Sequence, residues 1–154
     1  MMEYTTLLFI HIASVILLLG VGGGSAFYKF MSDRSKNVEV IVHTNKLVVL
    51  ADWLFTTPSV ILQPISGFML MNLMGYSLDS SWLYISVMLY IFSTLLWLVA
   101  VYLQIRMKNI ALLAQKEKRA LDEVYFRLVN YWIALGVFSA LAMGGIFYLM
   151  VFKI

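Results

Sequence analysis

Ala51-Asp52-Trp53-Leu54-Phe55-Thr56-Thr57-Pro58-Ser59-Val60-Ile61-Leu62-Gln63-Pro64-Ile65-Ser66-Gly67 is the stretch whose reading decides the fold. It lies inside a long apolar run, which puts it in a membrane. Yet it carries a carboxylate, two prolines, a glutamine and several hydroxyls. Asp52, Thr56, Ser59, Gln63 and Ser66 follow one another in steps of four or three, so all five fall on one helix face. Lipid cannot hydrogen-bond such groups, so the stripe must face other protein, water or a ligand.

The rest of the chain fits a membrane setting. Of its 154 residues, 62% are hydrophobic and 12% charged, with a mean hydropathy of +0.90. Soluble domains are roughly 25% charged, and a water-soluble fold of this size would lack the polar surface to cover itself. There is no cysteine, which excludes disulfides, thiolate metal sites, iron–sulfur ligation and a cysteine nucleophile. The first apolar run is read as a retained span, since no basic residue precedes it and no Ala-x-Ala pattern ends it. A net charge of +3 is accounted for by basic loops beside a membrane, and no nucleic-acid partner is indicated.

Hydropathy and punctuation predict an all-α, four-helix transmembrane bundle in one domain, with spans at about 4–30, 46–74, 82–105 and 128–151. Between the first two spans, Lys29 to Lys46 reads as a polar connector whose Val38–Val42 part could already be helical. Pro58 and Pro64 remove backbone donors, so the second span should bend or loosen there. Thr56, Thr57 and Ser59 could satisfy the freed groups. Gly20 with Gly24, and Gly136, Ala140 and Gly144, form small-residue faces expected to pack closely against another helix, within the chain or in a homo-oligomer or larger membrane complex. Lys108 to Arg127 suits helices that leave the bilayer on both sides of a turn. Basic residues crowd the first and third connectors, which predicts an up-down-up-down bundle with both termini outside and those connectors in the cytoplasm.

A rise of roughly 1.5 Å per residue turns this into a depth map. His11 lies about 10 Å below the outer surface, level with Ser66, Gly67, Met69, Met71, Tyr90 and Met143. Asp52 lies about 9 Å inside the cytoplasmic surface, near Lys46, Gln104, Arg106, Asn130 and Trp132. The third span has its own polar face, Ser86, Tyr90, Ser93, Trp97 and Gln104. His43 belongs to the cytoplasmic end, so the two histidines fall in opposite halves and do not suit one bis-histidine site. His11 is a candidate haem or metal ligand, with Tyr90 and Ser66 beside it and Met69, Met71 or Met74 as a soft second ligand. Its structural alternative is a neutral imidazole bonded to a hydroxyl such as Ser66 or Tyr90. Asp52 is a candidate proton-relay or cation-neutralising carboxylate. Its alternative is an ion pair with Lys46 or Arg106, or a hydrogen bond to Gln104 or Asn130, that fixes helix register. No catalytic constellation is recognisable: the spans hold no paired carboxylates, and His11 and Asp52 are on opposite sides.

The Asp52-Trp53-Leu54-Phe55-Thr56-x-Pro58 motif, with Gln63-Pro64-x-x-Gly67 behind it, resembles the bacterial four-helix integral membrane proteins collected as domain of unknown function two-two-six-nine. His11, the glycine cluster after it, Trp97 and Gln104-x-Arg106-Met107 fit as well, so the resemblance covers nearly the whole chain. It implies a multi-pass protein of the bacterial inner membrane. More distantly the layout is similar to the copper-resistance D proteins and the four-helix membrane protoporphyrinogen oxidases, which place a histidine early in the first span, as His11 stands here. The oxidases imply haem b as a cofactor. They also use a lysine in a later span, and the third and fourth spans here hold none before their cytoplasmic ends.

Three functions remain open from the residues. A structural or accessory bundle predicts a dry, fully paired interior. A haem- or copper-binding redox or metal-handling protein using His11 predicts a cofactor-sized cavity in the outer half. A small transporter or proton pathway centred on Asp52 predicts a path along the stripe.

Overall fold

The computed structural model describes residues 2–153. They form α1 (Met2–Ser35), α2 (Val38–Ala51), α3 (Thr57–Met74), α4 (Ser81–Lys116) and α5 (Glu123–Phe152). A π-helical turn, Asp52–Thr56, joins α2 to α3 in one continuous rod. Four rods therefore have the length and apolarity to cross a membrane: Glu3–Ser35, Val38–Met74, Ser81–Lys116 and Glu123–Phe152. Large apolar side chains stay outward along all four, among them Phe9, Ile16, Leu54, Leu95, Phe138 and Leu141. A soluble monomer does not expose so continuous an apolar surface.

The helices outrun the expected spans at the connector end. Asn37 caps α2, its side chain accepting from the backbone N–H groups of Glu39 and Val40. Asp122 caps α5 through the N–H of Tyr125. Such caps satisfy orphan donors at a helix start, so what reads as a polar connector from Lys29 to Lys46 is mostly helix, broken only at Lys36–Asn37. Lys36 takes a positive φ of 54° there. At the other end, Gly75 closes α3 with φ 69°, the left-handed position that glycine adopts without a side-chain clash.

α4 and α5 pack along each other, α1 packs on α3, and α2 bridges α1 and α4. The apolar core lies at the connector end: Ile41, Val42, Ala100, Met107, Ala111, Tyr125, Val129 and Trp132. Toward the termini the bundle divides into an α1–α3 pair and an α4–α5 pair. Within the chain, the small-residue faces do not form the close helix seam that is one of the expectations for them. A methyl group added at Gly20, Gly22, Gly23, Gly24, Gly136 or Gly144 would meet nothing within 4 Å. α1 and α5 do not close on each other here, and their missing side chains leave space instead of a seam. Gly145 is packed: a methyl group added there would lie 3.3 Å from Leu89 Cδ1.

Candidate functional site

Asp52 opens the π turn. Pro58 has no N–H to offer the preceding turn, and the chain takes one wider turn just before it, a device frequent at functional sites. The Asp52 carbonyl accepts both the backbone N–H of Thr57 and its Oγ1, the latter at 2.8 Å. The side chain points inward, 6% exposed. Its Oδ1 accepts from Thr56 Oγ1 at 2.8 Å. From α4, Gln104 comes up beside the carboxyl group, but no hydrogen bond of good geometry reaches Oδ2.

Three buried polar atoms on these walls lack partners: Asp52 Oδ2, Gln104 Oε1 and Trp97 Nε1. All three residues line two cavities. One, about 480 Å³, lies between α1, the second rod, α4 and α5 and is bounded by Gly22, Gly23, Ala26, Tyr90, Gly136 and Ala140 among others. The other, about 370 Å³, lies between the second rod and α4, against Trp53, Ile61, Leu98 and Val101. Asp52, Val60, Thr94, Trp97 and Gln104 belong to both linings, so they form the septum between the two spaces. Apart from these polar groups the walls are largely aliphatic, aromatic or glycine.

Among the described residues no cation pairs with Asp52. Among the described residues the ion pairs are Lys29–Asp33, Arg119–Glu117 and a 4.0 Å contact of Arg119 with Asp122. Lys46 and Asn130, which depth placed near Asp52, are exposed. Arg106 also turns outward, with its guanidinium over the Tyr102 ring.

His11 forms a separate cluster with α3. Its Nδ1 is 3.0 Å from Ser66 Oγ and its Nε2 is 3.0 Å from Gln63 Nε2. Ser66 spends its own proton on the Leu62 carbonyl at 2.7 Å. That assigns the N–H to Nδ1, with Nε2 accepting from the glutamine amide. A methyl group at Gly67 would lie 3.2 Å from His11 Cε1, so glycine there admits the ring. As placed, neither ring nitrogen is free for a metal. Met69 faces outward, 46% exposed, and Met71 is half-buried. Among the described residues no three His, Cys, Asp or Glu side chains gather to hold an ion.

Tyr90 does not bond to His11. Its hydroxyl donates to the Val60 carbonyl at 2.5 Å. Val60 is four residues before Pro64, so its carbonyl has lost its helical donor, and a phenol from α4 replaces it. The stripe itself is buried throughout: Asp52, Thr56, Ser59, Gln63 and Ser66 are all at most 8% exposed. It divides between two clusters, Asp52 and Thr56 with Gln104, and Gln63 and Ser66 with His11. From the same polar face of α4, Ser93 Oγ reaches the Ser139 carbonyl and hydroxyl, each at 3.1 Å.

One buried cluster is not apparent from the sequence. Lys29, 1% exposed, donates to Asp33 Oδ2 at 2.9 Å, Asn45 Oδ1 at 2.9 Å and the Tyr125 hydroxyl at 3.1 Å. Tyr125 in turn donates to Asp33 Oδ1 at 2.6 Å. This network ties α1, α2 and α5 together. Its one signal in the sequence is the four-residue spacing of Lys29 and Asp33, which is a helical pair once the helix is allowed to run past Phe30.

A family model described as "Predicted integral membrane protein (DUF2269)" matches residues 5–154. No curated protein and no solved structure matches the chain.

Proposed function

The chain belongs to this family of integral membrane proteins, and from that premise we propose that it binds a small amphiphilic molecule inside the bilayer, holding the polar end at Asp52. The supporting observation is that three residues carrying an unpartnered polar atom, Asp52 (Oδ2), Gln104 (Oε1) and Trp97 (Nε1), line one cavity of about 480 Å³. Buried polar groups are normally paired, and an unpaired one is costly. A ligand that supplies the missing partners removes that cost. The apolar walls suit a molecule that partitions into lipid, and a cavity of this size suits a small ligand.

A purely structural bundle has less support, because its interior should be dry and fully paired. A water-filled proton path is also less well matched by these walls. The haem- or copper-binding alternative, with its likeness to copper-resistance D proteins and membrane protoporphyrinogen oxidases, requires His11 to exchange Gln63 or Ser66 for a metal. A Soret band in purified protein that disappears in His11→Ala is the observation that would bring it forward. The basic connectors favour an orientation with both termini outside, in a bacterial inner membrane.

The test is thermal unfolding in lipid nanodiscs with chain-matched amphiphiles: dodecanol, dodecylamine, lauric acid and dodecyltrimethylammonium. At least one should raise the midpoint of the native protein and lose its effect in Gly136→Leu, whose side chain would fill the cavity. If none acts, or Gly136→Leu responds equally, the reading fails.

A further inference from the structure

The chemistry of the Asp52 septum narrows the ligand, on the reading that Asp52 heads a ligand site. Two of the three unpartnered atoms, Asp52 Oδ2 and Gln104 Oε1, call for donors, and the third, Trp97 Nε1, calls for an acceptor. Asp52 also lacks an ion-pair partner among the described residues. Both Asp52 and Gln104 are 6% exposed. Phe30, Tyr76, Trp82, Tyr102, Tyr125 and Trp132 each already carry a lysine or arginine of the chain. Tyr90 and Trp97, which line the larger cavity with Asp52, are not among the rings so occupied. An acid without an ion-pair partner beside aromatic side chains is the chemistry that receives an organic cation.

We propose that the Asp52 pocket takes a protonated amphiphilic amine, entered from the bilayer. The ammonium donates to Asp52 Oδ2 and Gln104 Oε1, an oxygen near the charge accepts from Trp97 Nε1, and the apolar body fills the cavity. Other head groups match less of the wall. A simple alcohol has one donor for two acceptors and brings no charge. A quaternary ammonium brings charge but no N–H. A fatty acid sets a second carboxyl group against the first.

The probe is radiolabelled propranolol, a secondary ammonium with a neighbouring hydroxyl on an apolar aromatic body. Binding to nanodisc-embedded protein is measured by scintillation proximity, alongside N-acetylpropranolol, which keeps the body and loses the charge. Saturable propranolol binding is expected, at least tenfold tighter than that of the acetylated form. Asp52→Asn should weaken it tenfold or more, and Gln104→Leu several-fold. Elution profile and helical circular dichroism check that each variant folds. If Asp52→Asn does not fold, Gly136→Leu takes its place, because it obstructs the cavity without touching the acid. Equal affinity for both probes that is lost in Asp52→Asn would overturn the cation assignment and leave the ligand site standing. No saturable binding of either probe, or binding indifferent to the substituted cavity, would overturn both.

Discussion

Tyr90→Phe and Pro64→Ala should be strongly non-additive. Pro64 deprives the Val60 carbonyl of its donor, and the Tyr90 hydroxyl replaces it at 2.5 Å. Tyr90→Phe keeps the ring and removes only the hydroxyl, so the packing change is small and the carbonyl is left unpaired. A buried polar group abandoned in this way costs about 1–3 kcal/mol. Interhelical bonds in membranes fall toward the lower part of that scale, about 0.6–1.7 kcal/mol, so a loss of about 1.5 kcal/mol is expected. In the Pro64→Ala background the alanine N–H can reach Val60 along the helix, and the same substitution should cost less than about 0.5 kcal/mol. The coupling is then about 1 kcal/mol, above the scatter of about 0.3–0.5 kcal/mol for independent sites. The assay is reversible unfolding in mixed dodecyl maltoside and sodium dodecyl sulfate micelles, followed by circular dichroism, for the native protein, both single variants and the double variant. Additive losses would refute the idea that the phenol stands in for the donor proline lacks.

Lys29→Met should destabilise by about 3–5 kcal/mol, since it leaves Asp33 buried without its cation. Adding Asp33→Asn should recover part of that loss in the same micelle titration. Gly67→Ala pushes a methyl group to within 3.2 Å of His11 Cε1 and should cost about 1 kcal/mol or more, an effect that disappears in a His11→Ala background. Asp52→Asn should leave stability unchanged or raise it by up to about 1 kcal/mol, because no ion pair is broken and the Thr56 bond can persist. A loss above about 2 kcal/mol would show that the acid is tied to an internal cation.

Much of the fold is legible in the sequence, and the reason is the bilayer. Apolar runs of spanning length can satisfy their backbone only as helices, so four runs separated by polar segments mean four rods. The inward stripe is legible for the same reason: Asp52, Thr56, Ser59, Gln63 and Ser66 have one period and cannot face lipid. Depth arithmetic puts His11 level with Ser66, which it meets. Arg106 and Tyr90 defeat the same arithmetic, because depth along a rod leaves its rotation unknown. Arg106 turns outward to Tyr102, and Tyr90 answers a carbonyl made vacant by a proline on another helix. Lys29 reads as a loop charge in the sequence, because its partners Asn45 and Tyr125 come from distant segments and Asp33 lies beyond the expected end of the first span.

The glycines mark the division most clearly. Composition and helical period determined that this is a four-rod membrane protein with a polar seam, because burial of backbone and polar groups is a local demand that each segment must meet. Whether Gly136 and Ala140 closed a helix seam within the chain or bounded a cavity was decided only by where α1 and α5 stand. The same tertiary arrangement left one polar atom each of Asp52, Trp97 and Gln104 without a partner, because pairing across helices depends on where whole rods stand, and no stretch of sequence carries that alone.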